Sequence, residues 1–361
     1  MKAVVKVGTS SITRESGELD DIALAKLCAD VAEARGQGHE LVLVCSGAIA
    51  AGLPALGLSQ RPTDLGTLQA IAAVGQPRLM ERMSALLAEH GVVAGQVLLT
   101  PHDFAQRSQY LHARETLGRL FDLGVVPVVN ENDTVADDEI RYGDNDRLAA
   151  LVAHLLSADL LLLLTDTPGL FTADPRLDSD ASLIDEIVEV DEALESVAGA
   201  AGTERGSGGM ASKLAAAKIA AWSGVRAVIA GADTDGVIAG AIEGRPVGTA
   251  IRPRAQRLAS RKLWIAFAQG SAGRIVVDDG ARRALVEGGR SLLPAGVRGI
   301  VGSFEADDAV EIVGEDGVPF AKGLVAFSAA GLRAVAGART SDLPDGSPHE
   351  VVHRDDLVVL P

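Results

Sequence analysis

Ala3-Val4-Val5-Lys6-Val7-Gly8-Thr9-Ser10 is a short apolar run, broken by a single lysine, that ends in a glycine turn. A strand covered on both faces reads this way, because neither side is left to polar residues. Similar runs recur at 41–45, 92–99, 125–129, 160–164 and 225–230. Helix candidates lie between them. The stretch 21–35 stops at Gly36 and Gly38, 109–123 stops at Gly124, and 211–223 stops at Gly224. The stretch 146–157 starts on an acidic residue, which suits a helix N-terminus. This alternation predicts an α/β fold, an open, mostly parallel sheet sandwiched by helices.

The 361 residues carry 33 Lys+Arg against 49 Asp+Glu, a net charge of −16. The length predicts two or three domains at roughly 100–200 residues each. A hydrophobic share of 47% supports a full core and excludes a disordered chain. The acidic balance argues against general nucleic-acid binding, which needs a basic footprint. Cys28 and Cys45 are too few for a disulfide framework and read as buried small hydrophobes in a reducing compartment. No export signal is visible, and the densest apolar stretch, 160–164, lies between Asp159 and Asp166. That is far short of the roughly 20 residues that cross a bilayer. A cytoplasmic protein with no membrane partner is expected.

The pattern changes near residue 251. Arg252, Arg254, Arg257, Arg261 and Lys262 occur without an intervening acid, as in a solvated linker or an interdomain contact, with a nucleic-acid contact as the competing reading. Short β-like pieces follow at 274–277, 297–304, 309–313, 324–327 and 351–352. The expected division is 1–252, a linker over 253–272, and a small β-rich domain over 273–361.

Ligands in open parallel sheets bind beyond the carboxyl ends of the strands. Polar clusters follow the apolar runs here: Gly8-Thr9-Ser10, Ser46-Gly47-Ala48, Asn130-Glu131-Asn132-Asp133, Gly143-Asp144-Asn145-Asp146 and Thr165-Asp166. One shared cleft would collect them all. Lys6 is the sharpest single residue, because a buried ammonium needs an anion. A lysine snorkelling from a strand end would read the same way. Gly8 lets the backbone approach a ligand, although a plain turn would use similar residues. The stretch 202–213, which ends Ser207-Gly208-Gly209-Met210-Ala211-Ser212-Lys213, is a glycine-rich loop entering a helix, where backbone N–H groups suit an anion and Lys213 adds a charge, although a flexible surface loop would read the same way. It is neither a Walker loop nor a dinucleotide fingerprint. Asp133, Asp144 and Asp146 suit metal, ammonium or turn roles alike. Asn130 and Asn145 suit a zwitterionic ligand or a turn. The histidines, among them His39, His90, His102, His112 and His154, are scattered and read as surface or capping residues. No Gly-x-Ser-x-Gly elbow occurs. No histidine motif stands ready to activate Ser46.

Together these motifs resemble the bacterial glutamate 5-kinases, members of the amino acid kinase superfamily that carry a C-terminal PUA domain. The resemblance spans nearly the whole chain. Its most specific carriers are Asn130-Glu131-Asn132-Asp133 and Gly143-Asp144-Asn145-Asp146, with Gly8-Thr9-Ser10. It implies phosphorylation of the L-glutamate side-chain carboxylate by ATP with Mg²⁺, the first step towards proline. Lys6 and Lys213 would contact the ATP phosphates and Asp146 would orient both. Gly8, Thr165, Asp166 and residues 207–213 would meet the nucleotide. Ser46, Gly47, Asn130, Asp133 and Asn145 would hold glutamate, and no dedicated protein metal ligand is assigned. The resemblance also implies a dimer or tetramer, proline as a feedback inhibitor, and hand-off to a glutamyl phosphate reductase. From Arg274 onward 9 Lys/Arg face 14 Asp/Glu, a net −5, which argues against RNA binding by the PUA part. Competing expectations are a sister kinase for N-acetylglutamate, aspartate, carbamate or a nucleoside monophosphate, and a non-catalytic PUA-based RNA-binding regulator.

Overall fold

The computed structural model describes residues 1–14, 17–136, 144–175, 177–178, 180–191, 194, 209–255, 257–268, 270–344 and 346–360. The chain divides into two compact units, Met1–Arg257 and Leu258–Pro361.

In the first unit the apolar runs become strands β1 (Lys2–Val7), β2 (Glu40–Cys45), β3 (Ala94–Leu99), β4 (Val126–Glu131), β5 (Leu160–Thr165) and β7 (Arg226–Gly231). Two short strands, β6 (Glu186–Ile187) and β8 (Gly248–Ile251), complete a sheet of order β3-β4-β2-β1-β5-β7-β8-β6. All its pairings are parallel except β7 with β8. Parallel pairing brings the carboxyl ends of β1, β2, β4 and β5 to one edge.

Side chains on a strand alternate between faces, and this parity places Lys6. Ala3, Val5 and Val7 pack with Leu24, Leu27 and Met83 in one core. Leu160, Leu162 and Leu164 of β5 share that face. Val4 and Lys6 therefore point to the other face, against the helix Asp144–Leu156, which packs on β1 and on the helix Met210–Trp222.

The longest helix, Leu65–Glu89, has no counterpart among the expected helices, because Gly66, Gly75 and Pro77 break its pattern in sequence. Those glycines have different contexts. A Cβ on Gly75 would stand 1.8 Å from the Ala48 carbonyl oxygen, whereas one on Gly66 would meet nothing within 4 Å. Gly52 is equally constrained, its Cβ falling 2.2 Å from the Ile71 carbonyl. The helices Ala48–Ala55 and Leu65–Glu89 thus cross backbone to backbone, which fixes the start of the first one beside Ser46.

The second unit holds β9 (Gly273–Val277), β10 (Val297–Gly302), β11 (Ala309–Val313), β12 (Pro319–Val325) and β13 (Val352–Val359), in the order β10-β9-β11-β12-β13. Ile275, Val310, Ile312 and Leu332 belong to its separate core. The expected pieces 324–327 and 351–352 catch only the ends of β12 and β13. The strand β13 lies at the sheet edge with His353, Arg354 and Asp355 exposed, so no apolar run announces it.

Within the segment expected as a linker, Ser260–Leu263 is α-helical and Trp264–Ala268 is a π-helix, with Leu263, Ile265 and Ala266 buried. Several residues of the basic cluster that starts at Arg252 meet acids. Arg252 makes two 2.6 Å bonds to Glu186, Arg254 pairs with Glu189 and lies 4.3 Å over the Trp222 ring, and Arg261 pairs with Asp356. Both cysteines are buried as expected, and burial pushes the Cys28 thiol up to about 12. His154 departs from its surface reading. It is buried, and burial together with the nearby Arg257 charge pushes its imidazole down to about 4. Among the described residues no helix is long and apolar enough to cross a membrane.

Candidate active site

Two lysines far apart in sequence meet on one carboxylate. Lys6 Nζ lies 2.7 Å from Asp146 Oδ1, and Lys213 Nζ lies 3.5 Å from Asp146 Oδ2. Asp146 is fully buried, and the lysine side chains are only 5% and 6% exposed. Strand parity aims Lys6 at this face, and the first turns of two helices supply Asp146 and Lys213. Ser212 Oγ adds a 2.6 Å hydrogen bond to Asp146 Oδ2. Its other oxygen neighbour, the Gly209 carbonyl, lies at 2.8 Å.

The electrostatics follow from that geometry. Burial alone pushes the Asp146 carboxyl up, but the charges of Lys6 and Lys213 and the bonds from Lys6 and Ser212 hold it below the usual carboxylate range. Lys213 is held below its ordinary value as well. Burial lowers it, the Lys6 charge lowers it further, and Asp146 and Asp166 offset this only in part. Two ammonium groups on one carboxylate leave this buried cluster with a positive excess. An incoming polyanion meets charges that need no further desolvation.

Beside this cluster, one backbone group orients two amide side chains. The Glu131 N–H, at the end of β4, donates to Asn130 Oδ1 at 2.9 Å and towards Asn145 Oδ1 at 3.3 Å. Asn145 Nδ2 therefore donates to Ser46 Oγ, at 3.1 Å. Ser46 Oγ accepts that bond and keeps its own proton to offer. Asn130 Nδ2 donates to Gln76 Oε1 at 2.7 Å. Asp133 lines a cavity of about 270 Å³ together with Gln76, Gln96, Asn132 and Thr134.

The remaining expected residues fall at the same sheet edge. Gly8 lies beside the ammonium, a Cβ there standing 3.6 Å from Lys6 Nζ, an ordinary contact distance. Gly47 has φ 115°, a left-handed value that favours glycine, immediately before the helix Ala48–Ala55. Thr165 is buried and donates to Asp166 Oδ1 at 3.0 Å. Both line a cavity of about 510 Å³ with Ser10 and Lys26. Gly209 precedes the helix that opens with Met210, Ala211, Ser212 and Lys213. Ser207, Gly208 and Gly143 lie outside the described residues, as does the side chain of Asp144. Sequence reasoning missed Gln76. A lone glutamine inside a helix carries no signal until its 54-residue separation from Asn130 is closed. It placed Ser212 in the loop but not on Asp146.

The description "amino acid kinase family" fits residues 1–231, and "PUA domain" fits residues 273–345. A glutamate 5-kinase of Caldanaerobacter subterraneus subsp. tengcongensis is 45% identical, covering 100% of this chain and 98% of its own length. One from Trichlorobacter lovleyi is 44% identical, covering 99% and 96%. One from Mycobacterium ulcerans is 48% identical, again covering 99% and 96%.

Proposed function

This chain belongs to the glutamate 5-kinase family of amino acid kinases, and on that premise we propose that it transfers the γ-phosphoryl group of ATP to the side-chain carboxylate of L-glutamate, giving L-glutamyl 5-phosphate and ADP. The observation that carries the proposal is the convergence of Lys6 and Lys213 on Asp146 beside the Ser46–Asn145 and Asn130 amides.

A carboxylate nucleophile with a reference pKa of about 4.3 is ionised at neutral pH and needs no general base. The obstacle is electrostatic, since one anion must approach another in line. Phosphoryl transfer is accelerated mainly by positioning and by neutralising charge. Lys6, anchored on β1, is assigned to the transferred group. Lys213, at the start of the helix Met210–Trp222, is assigned with the helix N–H groups to the neighbouring phosphate. Asp146 keeps the two ammonium groups apart and aimed until phosphate oxygens replace its charge. Ser212 holds Asp146 through Oδ2, the oxygen that also faces Lys213. Ser46, Asn145 and Asp133 are assigned to glutamate, with Asp133 taking the ammonium. Thr165 and Asp166 are assigned to the nucleotide.

Mg²⁺ fits as an ion arriving with ATP. Both Asp146 oxygens are engaged by lysine or serine, and a magnesium ion held by phosphates and water needs few protein ligands. When bound it would neutralise phosphate charge. The same proposal includes consumption of the product by a glutamyl phosphate reductase on the route to proline. It also includes proline competing at the glutamate pocket and assembly of copies through the first unit.

Purified protein with ATP, Mg²⁺ and hydroxylamine should yield the hydroxamate from glutamate and not from N-acetylglutamate or aspartate. Lys6→Ala should lower kcat by about 10²–10³. Unchanged turnover in a folded Lys6→Ala protein would remove the lysine assignment.

A further inference from the structure

We propose that Gln76 is a specificity residue whose side-chain N–H₂ donates to the α-carboxylate of glutamate. The inference rests on the glutamate reading above and follows from one direction-fixing group. A backbone N–H can only donate. The Glu131 N–H bonds an Asn130 side-chain atom at 2.9 Å, so that atom is the oxygen, Oδ1. The other terminal atom of Asn130 is then the N–H₂ group, and its partner at 2.7 Å is Gln76 Oε1. Gln76 Nε2 is left as the outward donor, with no hydrogen bond to it among the described residues. The polarity of a side chain on the long helix is thereby set by the end of β4.

The surroundings say what that donor faces. Gln76 lines the cavity of about 270 Å³ that Asp133 and Thr134 also line, together with Ala73 and Pro77. Pro77 has no N–H, so the helix cannot bond position 77 back to the Ala73 carbonyl. A carboxylate, a helix carbonyl without its usual donor and an oriented N–H₂ group thus surround one space. Acceptors suit an ammonium and the donor suits a carboxylate, the two ends of an α-amino acid. The γ-carboxylate must extend towards Lys6 and Lys213, which leaves the α-carboxylate for Gln76.

The decisive variant is Gln76→Glu. It keeps an oxygen to receive Asn130 Nδ2, but replaces the free donor with an anionic oxygen. A merely structural role predicts an unchanged KM for glutamate. The specificity role predicts a KM for glutamate raised about tenfold to a hundredfold, from loss of a hydrogen bond to a charged group, with the KM for ATP unchanged. Gln76→Met provides a second route if the charged variant does not fold. It should also raise the glutamate KM, while inhibition by 4-aminobutyrate, which lacks the α-carboxylate, stays as in the parent protein. A parent protein that forms glutamyl hydroxamate together with a Gln76→Glu variant of unchanged glutamate KM would overturn the Gln76 assignment alone. Equal loss of glutamate and 4-aminobutyrate binding in Gln76→Met would overturn it as well. A parent protein that forms no hydroxamate would overturn both readings.

Discussion

Replacing Asp146 with asparagine removes one negative charge from between two buried ammonium groups and changes almost no volume. Asp146 is fully buried, with Lys6 at 2.7 Å and Lys213 at 3.5 Å. Breaking a buried ion pair by removing one partner costs about 3–5 kcal/mol, because the other charge stays behind uncompensated. An independent bound agrees. A lysine of ordinary value 10.5 that sheds its proton at pH 7 to escape the repulsion gives up about 5 kcal/mol. Calorimetry should show the first unit's transition falling by on the order of 10 °C. ATP should restore much of the difference, since its phosphates supply the missing negative charge, and it should stabilise Asp146→Asn more than the parent protein. Turnover should fall together with stability. A variant whose first transition stays within about 2 °C of the parent, without nucleotide, would refute the idea that these three groups form one buried charge cluster.

Burial and the Lys6 charge lower Lys213, so its proton is lost at a pH below the ordinary lysine value of 10.5. The alkaline fall of kcat/KM for ATP should accordingly begin early, and Lys213→Arg, which stays charged, should move that limb upward; an identical limb in both proteins would counter the assignment. Asp133→Asn should raise the KM for glutamate far more than that for ATP in steady-state kinetics, and a loss confined to ATP would mean that the cleft is divided differently. Gly75→Ala places a methyl 1.8 Å from the Ala48 carbonyl oxygen, so the helices must separate at a cost of about 1–3 kcal/mol, readable as a lower melting temperature of the first unit.

The unbroken apolar runs made the parallel sheet legible, because a strand buried on both faces has little room for polar residues. The same logic singled out Lys6, a charge inside such a run. It failed for β13, whose polar middle reflects an edge position, and for Leu65–Glu89, whose glycines and proline look like breaks. At Gly75 the missing side chain answers to the Ala48 backbone in another helix, and at Pro77 the opened turn faces a cavity. Neither reason is local, so no window of sequence contains it.

What the residues alone determined is the inventory: two lysines, a set of amides and carboxylates at strand ends, and no histidine motif poised as a base. What folding decided is their pairing and polarity. Positions 6, 146 and 213 become one electrostatic unit only when strand parity and two helix starts bring them within 3.5 Å. Gln76 acquires its direction only because a single N–H at the end of β4 can do nothing but donate.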